Sequence, residues 1–159
     1  MKTTTLTMMA AGMLLAGAAD LRAHCEIPCG IYDDNARLSA IAEHATTIEK
    51  SMKQITALSS AADKNANQLA RWVTNKETHA TEIQHIATQY FMTQRIKVPA
   101  KGDAKAKAKY DAELSMLHQM LVHAMKAKQT TDTAHVEALR KLVQDFGQSY
   151  MDVHAGGKH

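Results

Sequence analysis

The sequence predicts an all-α protein, an antiparallel up-down-up-down four-helix bundle preceded by a short N-terminal segment of different character. Three observations predict it. Aromatic residues make up only 4% of the chain, while Ala, Leu, Met, Lys and Gln, all strong helix formers, are abundant. Four successive segments carry apolar residues at alternating steps of three and four, the spacing that keeps one narrow stripe on one helical face. The connections between them are short, as antiparallel neighbours in a bundle require.

In order, the first segment carries Leu38, Ile41, Ala45, Ile48, Met52 and Ile55, and "SSAADKNAN" at 59–67 breaks it. The second carries Leu69, Val73, Lys76, Ala80, Ile83, Ala87 and Tyr90, with Lys76 as the one polar interruption of its stripe. Pro99 and Gly102 in "KVPAKGD" end it. The third carries Tyr110, Leu114, Leu117, Leu121 and Ala124, and "KQTTDT" forms a turn whose Thr or Asp caps the next helix. The fourth carries Val136, Leu139, Val143, Phe146 and Tyr150 and gives way to the Gly-containing tail "HAGGKH". A slowly drifting stripe on each helix implies left-handed crossings near about 20°. Met116, Met120 and Met125 read as flexible core or interface filler.

Ahead of the bundle, "KTTTLTMMAAGMLLAGAA" at 2–19 has a basic start, an apolar stretch and a small-residue end, the pattern of a secretory signal peptide. It is short for a membrane span. Cleavage after Ala23 would leave His24 as the first residue with a free amine. The expected division is therefore a removable leader at 1–23, a metal-binding segment at 24–34, the bundle at 35–154 and a tail at 155–159. Loss of the leader removes Lys2, Arg22 and Asp20 and lowers the formal charge from +3 to +2. That mild balance, without a basic face interleaved with aromatics, excludes a nucleic-acid partner. "KGDAKAKAK" at 101–109 reads as a solvated loop and helix start. The leader points to a periplasmic or extracellular protein that makes no membrane contact once processed, with cytoplasmic trimming as the alternative.

The chain's two cysteines both lie in "HCEIPCGIY" at 24–32. A Cys25–Cys29 disulfide would close a very short loop and restrain the unfolded chain little. A structural zinc site needs four ligands, and there is no second cysteine pair. A chain that begins at His24 offers another use. Its amine, the Cys25 amide nitrogen and the Cys25 thiolate are consecutive donors, and a turn stiffened by Pro28 can bring Cys29 to the fourth corner. Planar N₂S₂ donation of that kind suits Ni(II) or Cu(II). Gly30 permits the tight backbone such a turn needs.

These residues closely resemble the nickel-hook motif H-C-x-x-P-C-G-x-Y of nickel-containing superoxide dismutases, matched here by His24, Cys25, Pro28, Cys29, Gly30 and Tyr32. "QYFMTQRIK" at 89–97 resembles a second family signature. The resemblance implies disproportionation of superoxide to oxygen and hydrogen peroxide through a Ni(II)/Ni(III) cycle, with one nickel per subunit held by His24, Cys25 and Cys29. It implies roles for Tyr32 on the substrate side of the metal and for Tyr90 near the site, assembly as a homohexamer of four-helix bundles, and dependence on a maturation protease and a nickel-delivery factor. Asp34 departs from the pattern, standing where many relatives have proline. The alternative function is an exported metal-binding or metal-sensing bundle that holds nickel or copper at its N-terminus without turnover. The remaining histidines, His44, His79, His118, His123 and His135 among them, read as surface or interface residues.

Overall fold

A computed structural model describes residues 33–63 and 65–154, with side chains through Met151. The leader, the motif residues His24, Cys25, Cys29 and Tyr32, and the tail lie outside the described residues. Four helices follow in order: α1 (Asp34–Ser60), α2 (Ala66–His85), α3 (Ala104–Gln129) and α4 (Ala134–His154). A π-helical segment, Ile86–Arg95, continues α2 without a break. Each helix packs on the next and α4 closes on α1, so the four form a ring around one core.

Side chains start the helices, and the sequence marks only the cap ahead of α4. Asp33 accepts a bond from the Asn35 amide at 2.8 Å, Asn65 one from Gln68 at 3.0 Å and Asp103 one from Ala106 at 2.8 Å. Asp132 accepts one from Ala134 at 2.9 Å ahead of α4. Each satisfies an amide that the first helical turn leaves without a partner. Between the π segment and α3, Gly102 turns the chain at φ 92°, a left-handed conformation that side chains disfavour. Gly147 serves a different purpose, because a Cβ there would lie 3.2 Å from Leu38 where α4 meets α1.

The core follows the predicted stripes with informative shifts. In α1, Ile41, Ala45, Ile48, Met52 and Ile55 are all buried. In α4, Val136, Leu139, Phe146 and Tyr150 are buried. The third stripe is rotated from the expected one: Glu113, Leu117, Met120, Ala124 and Ala127 face inward, while Leu114 and Leu121 are only half-buried. Met125 and Val73, expected in the stripes or as filler, are exposed.

Lys76 does not break its stripe. It stays in it, buried, and its ammonium donates to the carbonyls of Lys128 at 2.6 Å and Thr130 at 3.1 Å, where α3 ends. Carbonyls there have no intrahelical donor and carry the negative end of the helix dipole, so a lysine reaching from α2 completes them. Burial lowers the Lys76 pKa, with Glu77 opposing the shift.

Two histidine pairs bridge neighbouring helices. His44 of α1 meets His79 of α2 with Nδ1 atoms 2.7 Å apart, and His123 of α3 meets His135 of α4 at 3.3 Å. Burial and the facing imidazole lower the pKa of His44, against the opposing charges of Glu82 and Glu43. Burial, His135 and Lys126 lower that of His123. A folded pKa below the unfolded value of about 6.5 means that the unfolded chain protonates first as the pH falls. The stability these groups support is therefore complete above about pH 6.5 and is lost as the pH falls through their folded values. Thermal melts from pH 8 to pH 5 should show a falling midpoint, and the double variant His44→Gln/His123→Gln should flatten that slope.

Candidate functional site

The N-terminal end of α1 is where the chain emerges from residues 24–32, and the scarce aromatic residues collect there. Phe91 packs edge-on to Tyr90, Phe146 and Tyr150 at centroid distances of 5.1, 4.9 and 5.6 Å, and Phe146 stacks on Tyr150 at 5.5 Å. Both phenylalanines are fully buried. The apolar ring surfaces close this end of the core and leave the two tyrosine hydroxyls pointing toward α1.

Both hydroxyls end on Asp34. Tyr90 donates to Oδ1 at 2.5 Å, Tyr150 donates to Oδ2 at 2.9 Å, and the Arg95 Nε donates to Oδ1 at 2.8 Å. Arg95 also donates through Nη2 to the Tyr90 oxygen at 3.0 Å. The guanidiniums of Arg37 and Arg95 approach the Tyr90 ring at 5.3 and 5.1 Å. One carboxylate in the first turn of α1 is thus bound by residues from the π segment and from α4.

The π segment makes that convergence possible. In an α-helix, residues five apart point about 140° away from each other. In a π-helix they stack, and here Ile96 N bonds to Phe91 O at 2.9 Å, while Thr93 and Gln94 side chains bond to Thr88 O at 2.8 Å and Gln89 O at 2.9 Å. Tyr90 and Arg95 are related by the same step of five. The wider turn therefore puts both on Asp34.

Electrostatics follow from these bonds. Burial alone would raise the Asp34 pKa, but the bonds from Tyr90 and Tyr150 and the charge and bond of Arg95 outweigh it and hold the carboxyl below its ordinary value. Burial and the Asp34 carboxylate raise both tyrosines. At neutral pH the cluster is an ionised aspartate and an arginine joined by two neutral phenols.

Of the site residues the sequence singles out, Tyr90 is placed here. Asp34, noted in the sequence only as a departure from a pattern, Arg95 and Tyr150 are the members that sequence reasoning missed as a site. Tyr150 reads there as the last step of a core stripe, and Arg95 lies inside "QYFMTQRIK" without a partner that spacing could name. Among the described residues no group of three or more His, Cys, Asp or Glu side chains could hold a metal ion, and no helix is long and apolar enough to cross a membrane.

The family profile described as nickel-containing superoxide dismutase matches residues 19–154, which takes in the cysteine motif, Asp34 and all four helices. The chain belongs to that family. It is a nickel-dependent superoxide dismutase, an oxidoreductase with superoxide as its substrate and nickel as its cofactor, and the reading as a metal holder without turnover is not favoured. No curated protein and no solved structure matches the chain.

Replacing Tyr150 by Phe removes one hydrogen bond to a charged carboxylate and keeps the ring. The expected cost is about 1.5 kcal/mol, toward the lower end for such bonds because Asp34 is partly open to solvent. Urea titration measures it. The contribution of Asp34 itself is present at neutral pH and is lost as the pH falls below about 3.9 through its lower folded value. Acid unfolding of Tyr150→Phe should accordingly begin at a higher pH than in the parent.

Proposed function

We propose that the working enzyme begins at His24 and that its nickel is held by the His24 amine and imidazole, the Cys25 amide nitrogen and thiolate, and the Cys29 thiolate, one metal per subunit. The observation that carries the proposal is the family match across 19–154 together with six motif residues standing at a candidate processing point. The donor chemistry fits the metal: a set of two nitrogens and two thiolates would suit Ni(II), and the His24 imidazole would be available as a further ligand. When bound, nickel would supply the one-electron chemistry of a Ni(II)/Ni(III) couple, with which two superoxide anions and two protons give oxygen and hydrogen peroxide.

The chain's own groups then have distinct tasks. The thiolates of Cys25 and Cys29 and the anionic amide donate strongly, which makes the higher oxidation state reachable. Tyr32 would close the substrate side of the metal, where backbone N–H groups and a water held at its hydroxyl would orient the anion. Tyr90 acts beside the site, its hydroxyl oriented by Asp34 and Arg95. The leader supports export to the periplasm or beyond, followed by proteolytic trimming and delivery of nickel by a partner protein. Trimming in the cytoplasm is the other arrangement, and fractionation of cells with intact-mass analysis separates the two. Assembly as a homohexamer is the reading the family supports, and it would cover an N-terminal segment that a lone bundle leaves open.

Cys25→Ser or Cys29→Ser should abolish turnover, a larger loss than the about 10- to 100-fold that follows removal of an outer-shell partner. Superoxide assays on variants of known nickel content measure this, and substantial activity with nickel still bound would reject the ligand assignment. A chain starting at Ala23 moves the amine by one residue and should neither load nickel correctly nor turn over. Equal metal content and rate in chains starting at Ala23 and at His24 would count against the N-terminal amine.

A further inference from the structure

Asp34 stands five positions after Cys29 and two after Tyr32. Five residues reach at most about 18 Å, so the place where Asp34 is held limits where Cys29 can be. The groups that hold it come from 56, 61 and 116 positions away, through Tyr90, Arg95 and Tyr150. The start of α1 does not need them, because Asp33 already caps its first turn and the stripe from Ile41 to Ile55 seats the helix on the core. Nor is a partly buried ion pair an efficient stabiliser, since apolar replacements commonly do as well. What the cluster adds is a fixed position for the first residue of α1, in a turn that otherwise frays readily.

We propose that Asp34, Tyr90, Arg95 and Tyr150 form a clasp that fixes where and in which direction the metal-binding segment 24–32 leaves the bundle, which makes Asp34 a positioning residue for the nickel centre. The inference rests on the assignment of the nickel donors to that segment. Three of those donors are consecutive atoms of the backbone and its first side chains, so a rotation at the base of the segment moves the whole set. Such a rotation changes where the set stands relative to Tyr90 on the bundle, and functional sites tolerate only about 0.5 Å and 10–20° of such error. Arg95 suits the task because its planar fork reaches the carboxylate through Nε and the Tyr90 oxygen through Nη2 at once, which an ammonium cannot do. A proline at the first helical position would restrain the same backbone through its ring. Here the restraint is tertiary, supplied by three side chains.

The test compares nickel-loaded, fully processed wild-type protein with Asp34→Asn and Arg95→Lys. The readouts are amide exchange across residues 33–38 and 41–52, nickel retained against a chelator, and the paramagnetic resonance spectrum of the oxidised centre. The clasp predicts unchanged exchange at 41–52 and exchange at 33–38 faster by at least about tenfold, the factor implied by loss of a single charge-assisted hydrogen bond. It also predicts nickel retention lower by about 10- to 100-fold and an altered resonance spectrum, with Arg95→Lys the milder variant. Faster exchange with wild-type nickel retention and spectrum would overturn the proposal, leaving the cluster a role in helix stability alone. Should Asp34→Asn fail to fold, Tyr150→Phe removes a single bond, keeps the charge pair, and is read in the same way. Nickel retained unchanged in Cys25→Ser, with the four clasp residues intact, would instead overturn the donor assignment, a failure seen without any clasp variant.

Discussion

The carboxylate of Asp34 is the point on which the organisation of this end of the bundle depends. A charge taken partly out of water is tolerable only where hydrogen bonds replace the lost hydration. Two phenols and a guanidinium supply them, Tyr90 and Arg95 from the π segment and Tyr150 from α4. Meeting that one requirement sets the rotation of the π segment, the depth of Tyr150 in the aromatic cluster and the seat of the first turn of α1. The aromatic rings below the carboxylate exclude water from one side, which strengthens the bonds above them.

Polar contacts elsewhere fix how the helices are paired. Lys76 ties α2 to the end of α3, Arg140 of α4 reaches Glu49 of α1, and buried Glu113 of α3 is bound by Lys109 and by the Ser149 hydroxyl of α4. Apolar stripes made largely of Ala, Ile, Leu and Met could slide or rotate past one another at modest cost. A lysine that must find two particular carbonyls cannot. These contacts give the bundle a register that its core alone would specify weakly, and the register carries Tyr90 and Tyr150 to the same height as Asp34.

That height matters for the nickel donors proposed above, because residues 24–29 precede α1 by only a few positions. A site built on an N-terminal extension gains rigidity from the helix it runs into. The clasp lies at that junction, and Tyr90 belongs at once to the core, through its ring against Phe91, and to the polar end, through its hydroxyl. In this molecule packing and the proposed positioning of the nickel segment share residues at one helix terminus.

The spacing of apolar residues by itself determined the number of helices, their order and most of the core, because burying a stripe three or four residues apart has few solutions other than a bundle. The motif at 24–32 pointed to nickel, because consecutive nitrogen and sulfur donors at a chain end would suit that metal. Tertiary structure alone decided the rotation of α3, which buries Glu113 and Met120 in place of Leu114 and Leu121, since a helix with apolar residues on adjacent faces is oriented by its neighbours. It also decided the fate of Lys76, whose value depends on carbonyls 52 and 54 positions away. The π segment was likewise invisible: "IATQYFMTQR" contains no glycine or proline to mark it, and its extra residue per turn is justified only by what Tyr90 and Arg95 meet across the bundle. Spacing along one helix cannot report a partner that the fold supplies from another.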